Sequence, residues 1–459
     1  SRGTLIAIFL IIIEAYIKIM KLFSQMEFIA DLHIHGKYSR ACSKELTIPT
    51  LEKWAKIKGI TLLGTGDFTH PKWIEHIKEE LKEDGTGFLR TKTGFPFILQ
   101  TEISLIYSQG GRGRRVHILL YAPTIKIAEQ ITEALKKRGR VDYDGRPIFK
   151  IPCIEIVDMM RAISDDIEVV CAHCWTPWFA VFGSNGGFNS LEEAFGANVK
   201  YIHALETGIS SDPEMNWRLS KLDKINLVSF SDLHSYWPWR MGREATVLEI
   251  EPNYKSFLHA LRTGEGIKAT IEADPAYGKY HIDGHRNCNV KLEPAEAIKL
   301  NNICPVCKSH LTIGVLHRVE ELADRKDGFV RKDAPKTYHL IPLSEIIATV
   351  LQKGIATKAV WEAYNPLIEK FGTELNILIK VSFDELKKVC DERIAKLIID
   401  LRERTIRINP GYDGVYGNID GFANPDADED KEDKTTKKEK TPKEKAVKAS
   451  KTKKNSIKQ

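Results

Sequence analysis

The chain has 459 residues, 42% of them apolar and 28% charged, the composition of a globular protein of two or three domains and not of a fibrous or wholly disordered one. Net charge is +6, but residues 426–459 hold 12 Lys against 8 Asp and Glu, so 12 − 8 = +4 of it lies in the tail. The rest is nearly neutral, and bulk charge is no argument for a nucleic-acid partner. Eight Cys without a convincing signal peptide read as reduced or metal-bound thiols of a cytoplasmic protein, not as disulfides.

Thr4 to Met20 is apolar except for Glu14 and Lys18. The run is short of the roughly 20 residues of a membrane span and lacks a small-residue cleavage site. Residues 1–26 are therefore expected to be an extension, disordered or loosely helical, with a membrane anchor as the minority reading. From 27 to 272 short β-branched runs alternate with amphipathic segments, an α/β signature. Strands are expected over Phe28–Leu32, Leu62–Thr65, Phe97–Glu102, Arg115–Tyr121, Glu168–Ala172, Tyr201–Glu206 and Asn226–Ser231. Helices fall between them, over Thr50–Lys58, Trp73–Leu81, Ile125–Lys137, Cys153–Ile163, Ser190–Phe195 and Glu214–Lys221. Residues 273–330 are rich in Cys, His and Gly. Residues 331–421 read as a helical carboxyl domain closed by Pro410-Gly-Tyr-Asp-Gly-Val-Tyr-Gly417. The Lys/Glu/Asp tail, 422–459, cannot bury enough apolar surface to offset its ordering entropy and is expected to be disordered.

Ligand-type side chains stand at the ends of these apolar runs. His33 and His35 are separated by one residue on a strand, so both imidazoles reach one side. Asp67 follows Gly64-Thr-Gly66, Glu102 ends a strand, His117 begins Ile118-Leu-Leu-Tyr121, His173 follows Val169-Val-Cys-Ala, and Asp232-Leu-His234 follows Leu227-Val-Ser-Phe. Burying so many ionisable groups without partners would cost several kcal/mol each, a cost that bound cations remove. Mixed imidazole and carboxylate donors suit Zn, Mn or Fe better than Mg.

The order His-x-His, Asp, Glu, His, His, Asp-x-His resembles the PHP superfamily. That resemblance implies a distorted β/α barrel whose site, His33, His35, Asp67, Glu102, His117, His173, Asp232 and His234, holds two or three divalent metals (Zn, Mn, Mg or Fe). Asp67, His173, Asp232 and His234 are the residues expected to take part in the chemistry. Phe68 departs from the Asp-His that the family's second motif often shows, and His70 is the nearby imidazole to replace it.

A second metal site is expected beyond the barrel. His285-x-x-Cys288, fifteen residues, then Cys304-Pro-Val-Cys307 is a structural zinc pattern, with His281 and His310 as rivals of His285 for the fourth place. Cys171 and Cys174 read as packing residues.

Three phrases, Ala204 to Trp217, Gly314 to Arg325 and Pro410 to Gly417, resemble the endonuclease Q family, as does the order of barrel, zinc module and helical domain. The resemblance implies nicking of DNA on the 5′ side of uracil, hypoxanthine, xanthine and abasic sites. It also implies double- and single-stranded DNA as partner, a monomer with no membrane, and a sliding clamp as a further possible partner. Glu206, Ser210, Ser211 and Asp212 are candidates for a substrate pocket or for supporting metal ligands, against a self-capped loop. Trp175, Trp178, Phe179, Phe182, Tyr236, Trp237 and Trp239 are candidates for base stacking, and Arg112 to Arg115 and Lys136 to Arg140 for phosphate contact, against simple packing and solvated loops. The competing functions are a phosphatase of small phosphomonoesters and a non-catalytic DNA-binding scaffold.

Overall fold

The computed structural model describes residues 25–421; the apolar run and the charged tail lie outside them. Ten strands form the path of a 13-stranded sheet. They are β1 (Met26–Asp31), β2 (Leu62–Gly64), β3 (Pro96–Gln109), β4 (Arg112–Ala122), β5 (Glu168–Cys171), β6 (Ala204–Glu206), β7 (Asn226–Val228), β8 (Ala245–Ile250), β9 (Ile267–Glu272) and β10 (Lys336–His339). Their order is β7-β6-β5-β4-β3-β2-β1-β8-β9-β10. Parallel pairs β1–β2 and β2–β3 alternate with helices α1 (Ile48–Lys58) and α2 (Pro71–Glu80), as short βα units require. The β3–β4 hairpin runs antiparallel through eleven paired positions from Leu99↔Ala122 to Gln109↔Arg112.

The sheet curls until β7, at one end, comes back against β1, while β8, β9 and β10 continue beyond it. Ile34, just past β1, bridges Leu233, just past β7, and the His35 N–H donates to the Leu233 carbonyl at 3.1 Å. Side chains of period two from each strand fill the inside: Ala30, Leu32, Leu62, Ile98, Leu119, Tyr121, Val170, Val228 and Leu248 are buried together. The opposite faces pack on the helices in the larger cluster, where Phe68 and Trp73 are fully buried. Most expected strands and helices fall where the periodicity places them. Tyr201 belongs instead to a 3-10 turn, Gly196–Tyr201, and the expected helix at Glu214 ends at Trp217.

Residues between β9 and β10 build a small unit of their own: the hairpin Asp283–His285/Val290–Leu292, a short helix and a Cys304–Cys307 turn. Its core is only Ala297, Cys304 and Leu311. The chain then returns to the barrel, because β10 pairs parallel with β9 from Ala269↔Lys336 to Glu272↔His339. Helices follow, including α3 (Leu343–Leu351), α4 (Lys358–Phe371) and α5 (Glu392–Arg402). They dock on α1 through Lys58, whose buried ammonium donates to Glu374 Oε1 at 2.6 Å and to the Pro238 carbonyl at 2.7 Å. The Pro410–Gly417 phrase folds back on the small unit: Asp413 accepts from the Arg286 N–H and the Thr312 hydroxyl, both at 2.7 Å. Among the described residues no helix is long and apolar enough to cross a membrane.

Candidate metal centre

Most of the site comes from the loops just past strand ends, whereas Glu102 and His117 lie mid-strand, because the strand expected to end at Glu102 runs on to Gln109. Three of the loop residues pay for their position in backbone geometry. Asp67, His173 and Asp232 have φ of 42°, 28° and 48°, the left-handed region that residues with a Cβ avoid. Gly208 makes room for one of them: a Cβ there would lie 2.7 Å from that of His173.

Two ligand groups share Glu102. In the first, His35 Nε2 lies 3.2 Å from Glu102 Oε2 and 3.0 Å from Asp232 Oδ1, and His33 Nε2 lies 3.6 Å and 3.3 Å from the same atoms. In the second, Glu102 Oε1 is 2.7 Å from His117 Nδ1 and 3.3 Å from His173 Nε2, and the two ring nitrogens are 3.2 Å apart. Ligands about 2.1 Å from one tetrahedral ion sit roughly 3.4 Å from each other, so both groups have the span of a coordination shell. His33 Nε2 and Glu102 Oε1 are buried and make no hydrogen bond among the described residues. The donors therefore fit two divalent cations, one on each oxygen of Glu102.

Charge supports the same fit. Burial would raise the Glu102 carboxyl, yet His117, Arg146 and His33 draw it well below its usual range. Asp232 is lowered in the same way, against burial, by His33 and His234. Both acids thus stay ionised, the form a cation needs. Burial pushes His117 down to about 3 and His234 down to about 4, so both are neutral near pH 7.

The remaining expected ligands occupy a different tier. Asp67 stands behind His35: its Oδ1 is 2.9 Å from His35 Nδ1, and its Oδ2 accepts from the Gly36 N–H at 2.6 Å and the Ser39 hydroxyl at 2.8 Å. With both oxygens engaged it belongs to neither ligand group and stands where it orients the His35 imidazole. His234 lines the cavity beside Asp232 but likewise lies outside both groups. Phe68 is core, and His70 stacks on Tyr38 at 4.5 Å instead of replacing a ligand.

Glu206, Ser210, Ser211 and Asp212 are all buried, and none of them lines the cavity. Glu206 binds His33 Nδ1 at 2.9 Å and accepts the His173 N–H at 2.6 Å, so it supports the metal ligands. Ser211 donates to the Thr207 carbonyl, and Asp212 caps Pro213–Trp217 and meets His339 at 3.0 Å. The short polar side chains serve the loop itself.

The cavity over the centre has a volume of about 310 Å³; Trp178, Phe179, Tyr280, Arg146 and Arg243 join His117, His173, Asp232 and His234 in lining it. Phe179 lies 4.6 Å from the His117 ring, and Trp178 meets Tyr280 edge-on at 5.4 Å. Trp175 and Phe182 are buried, while Trp237 and Trp239 stack on each other at 5.0 Å in a cluster with Trp54 and Trp361. Arg146 donates to Glu102 Oε2 at 2.9 Å. It and Arg243 escape sequence reading because each is one arginine in an irregular loop, with no motif around it. The arginine runs singled out for phosphate are partly spent elsewhere: Arg114 pairs with Glu193 at 2.6 Å, and Arg138 and Arg140 pair with Glu155 and Asp142.

The second site converges as its spacing suggests. His285, Cys288, Cys304 and Cys307 bring one donor atom each to a common centre, with His285 Nδ1 3.3 Å from Cys307 Sγ. Neither His281 nor His310 joins them.

A curled α/β sheet with imidazoles and carboxylates gathered at one end, followed by a four-donor Cys/His unit and a helical end, is an α/β protein with clustered candidate metal ligands. The chain belongs to the endonuclease Q family. It is 34% identical to the lesion-specific endonuclease PfuEndoQ of Pyrococcus furiosus, whose crystal structure it matches at TM-score 0.77 over 86% of this chain and 95% of that one. It matches endonuclease Q in complex with a 27-mer duplex carrying an abasic lesion at the active site equally well, with 34% identity, TM-score 0.78, and coverage of 86% of this chain and 96% of that one. An uncharacterized protein of Methanocaldococcus jannaschii, MJ0043, is 34% identical over 65% of this chain, which spans 36% of that longer protein. The uncharacterized protein YqxK of Bacillus subtilis is 28% identical over 85% of this chain and 98% of its own length. Residues 342–405 match the family model of the MJ0043 C-terminal domain.

Proposed function

We propose that this protein is a metal-dependent endonuclease that nicks DNA on the 5′ side of deaminated bases (uracil, hypoxanthine, xanthine) and of abasic sites, as a step in their repair. The observation that carries this reading is the sharing of Glu102 between two ligand groups whose His117, His173 and Asp232 line a cavity that also holds two guanidinium groups and aromatic rings. The relation to PfuEndoQ, a lesion-specific endonuclease, supports the choice of substrate.

Bound by His33, His35, Glu102 and Asp232 and by Glu102, His117 and His173, divalent cations would supply Lewis acidity to the phosphate and a lowered pKa to an attacking water. The chain's own residues do the rest. His234 donates Nδ1–H to the Asp232 carbonyl at 2.9 Å, and burial keeps the ring neutral near pH 7, which leaves a free lone pair on Nε2 facing the site. Arg146 provides a fixed cation beside Glu102 for the charge that builds on the phosphoryl oxygens. Trp178 and Tyr280 offer faces on which an extruded base or the gap it leaves can stack. Deamination turns an exocyclic donor into an acceptor, so a fixed N–H in such a cavity accepts uracil or hypoxanthine and rejects cytosine or adenine.

The test is a nicking assay on labelled duplexes carrying uracil, hypoxanthine, an abasic site or no lesion, with added Mn, Mg or Zn. Wild type cuts the lesion-bearing strands on their 5′ side, and Asp232→Ala does not. Equal cutting of the undamaged duplex would sink the repair assignment.

A further inference from the structure

Arg243 ends the turn that leads into β8, and both of its neighbours are fixed. The Gly242 N–H donates to Asp31 Oδ2 at 2.9 Å with φ of +58°, and Glu244 Oε1 accepts from the Ala273 N–H at 2.7 Å. The side chain lines the cavity over the metal centre, and its Nη2 donates to the Ser231 carbonyl, next to Asp232, at 3.3 Å. Its Nε is buried and has no hydrogen-bond partner among the described residues. A buried, charged donor without an acceptor is unfavourable and marks a place where an acceptor arrives with a ligand.

The chemistry of that ligand follows from what surrounds the guanidinium. Glu102 and Asp232 are taken by the imidazoles, and Glu102 also by Arg146. The corner behind Arg243 is cationic: burial would raise the Tyr416 phenol, but Arg240, Arg243 and Lys279 together draw it below its ordinary value. An arginine side-on, through Nε and Nη2, presents two parallel N–H groups with the spacing of two oxygens on one phosphorus, while the other Nη2 hydrogen serves Ser231.

We propose that Arg243 holds a phosphodiester of the bound strand over the metal centre, its Nε and Nη2 forking over the two non-bridging oxygens. The inference rests on the phosphodiesterase reading above and adds to it a substrate-binding residue. A phosphate carries no base identity, so Arg243 serves every lesion alike and does not rank them.

The experiment uses the full chain loaded with Mn, and compares wild type with Arg243→Gln and Arg243→Lys in two arms. Calorimetry with inorganic phosphate reads the fork directly: affinity falls about 10- to 100-fold in Arg243→Gln and by less in Arg243→Lys, which keeps the charge but loses the second donor. Nicking and binding of uracil, hypoxanthine and abasic duplexes fall together in Arg243→Gln, and the slope of log affinity against log salt becomes shallower by about one. Metal content and unfolding temperature match wild type. Unchanged phosphate affinity in Arg243→Gln overturns the proposal, as does a loss confined to base-bearing lesions. If Arg243→Gln fails to fold, Arg243→Lys decides, and wild-type phosphate affinity in it overturns the fork. A wild type that binds phosphate through Arg243 yet nicks no damaged duplex would instead remove the endonuclease reading and leave the fork standing.

Discussion

Asp67 meets His35 at Nδ1, 2.9 Å away, on the far side of the ring from the Nε2 that joins Glu102 and Asp232. Glu206 stands in the same relation to His33. Each imidazole in the first ligand group is thus backed by a buried carboxylate that fixes its tautomer and raises its basicity.

Asp67→Asn and Glu206→Gln should therefore weaken cation binding by about 10- to 100-fold and recover activity in excess metal. Glu102→Gln removes the shared donor of both groups, and nicking should fall about 10³-fold or more without rescue, since several kcal/mol of transition-state stabilisation are lost. Metal titration followed by nicking separates the two behaviours. Undiminished affinity in the Asp67 and Glu206 variants would show that these carboxylates do not support the ligands.

Cys304→Ser should release one zinc per chain and loosen the small unit while the barrel holds. Among the described residues the apolar core of that unit is Ala297, Cys304 and Leu311 with Cys288, Val290 and Leu292 partly buried against them, small enough that a bound ion should carry much of its stability. Hydrogen exchange should accelerate across residues 283–312 and remain slow in β3 and β4. Retention of zinc and of protection would contradict the site.

Lys58 and Glu374 are both buried, and Glu374 also accepts from the Leu343 N–H at 3.0 Å and the Tyr364 hydroxyl at 2.8 Å. Glu374→Gln leaves the ammonium unpaired between barrel and helices and should cost about 3–5 kcal/mol of stability, read from urea unfolding. Lys58→Met combined with Glu374→Gln should recover part of that loss. An additive double variant would show that the pair is not coupled.

Glu244 and Glu272 approach each other around the Ser229 hydroxyl, at 2.6 Å and 3.0 Å. Burial pushes Glu244 up to about 7, and burial together with the charge of Glu244 pushes Glu272 well above its usual 4.5. The folded protein binds these protons more tightly than the unfolded chain. Their contribution is full below pH 4.5 and is lost as pH rises through about 7 and above. Glu272→Gln should flatten this part of the stability profile, leaving the variant more stable relative to wild type at about pH 9 than at about pH 5. Parallel profiles for the two proteins would refute the coupling.

Much of this molecule is legible in one dimension. Period-two runs ending in His, Asp or Glu mark the strands of the barrel and the ligands at their tips, because side-chain alternation and the cost of burying charge are local facts. Cys304 and Cys307 are legible for the same reason, since two thiolates on one tight turn need no other part of the chain to share an ion. Local order fails where a group's role depends on what lies behind it. Asp67 and Glu102 look alike in the sequence as acids closing apolar runs, yet Glu102 lies mid-strand and is shared by two ligand groups while Asp67 holds a ring.

The sequence by itself therefore determined the α/β fold and the family, and marked the imidazoles and carboxylates from which a site could be built, since these follow from spacing, periodicity and resemblance along the chain. Only the tertiary structure decided which carboxylates face the centre, that Arg146 and Arg243 join it, and that β10 returns to the barrel from beyond the Cys/His unit. Those relations link residues tens to hundreds of positions apart. They are set by how the curled sheet closes through Ile34 and Leu233, a contact that no local pattern encodes.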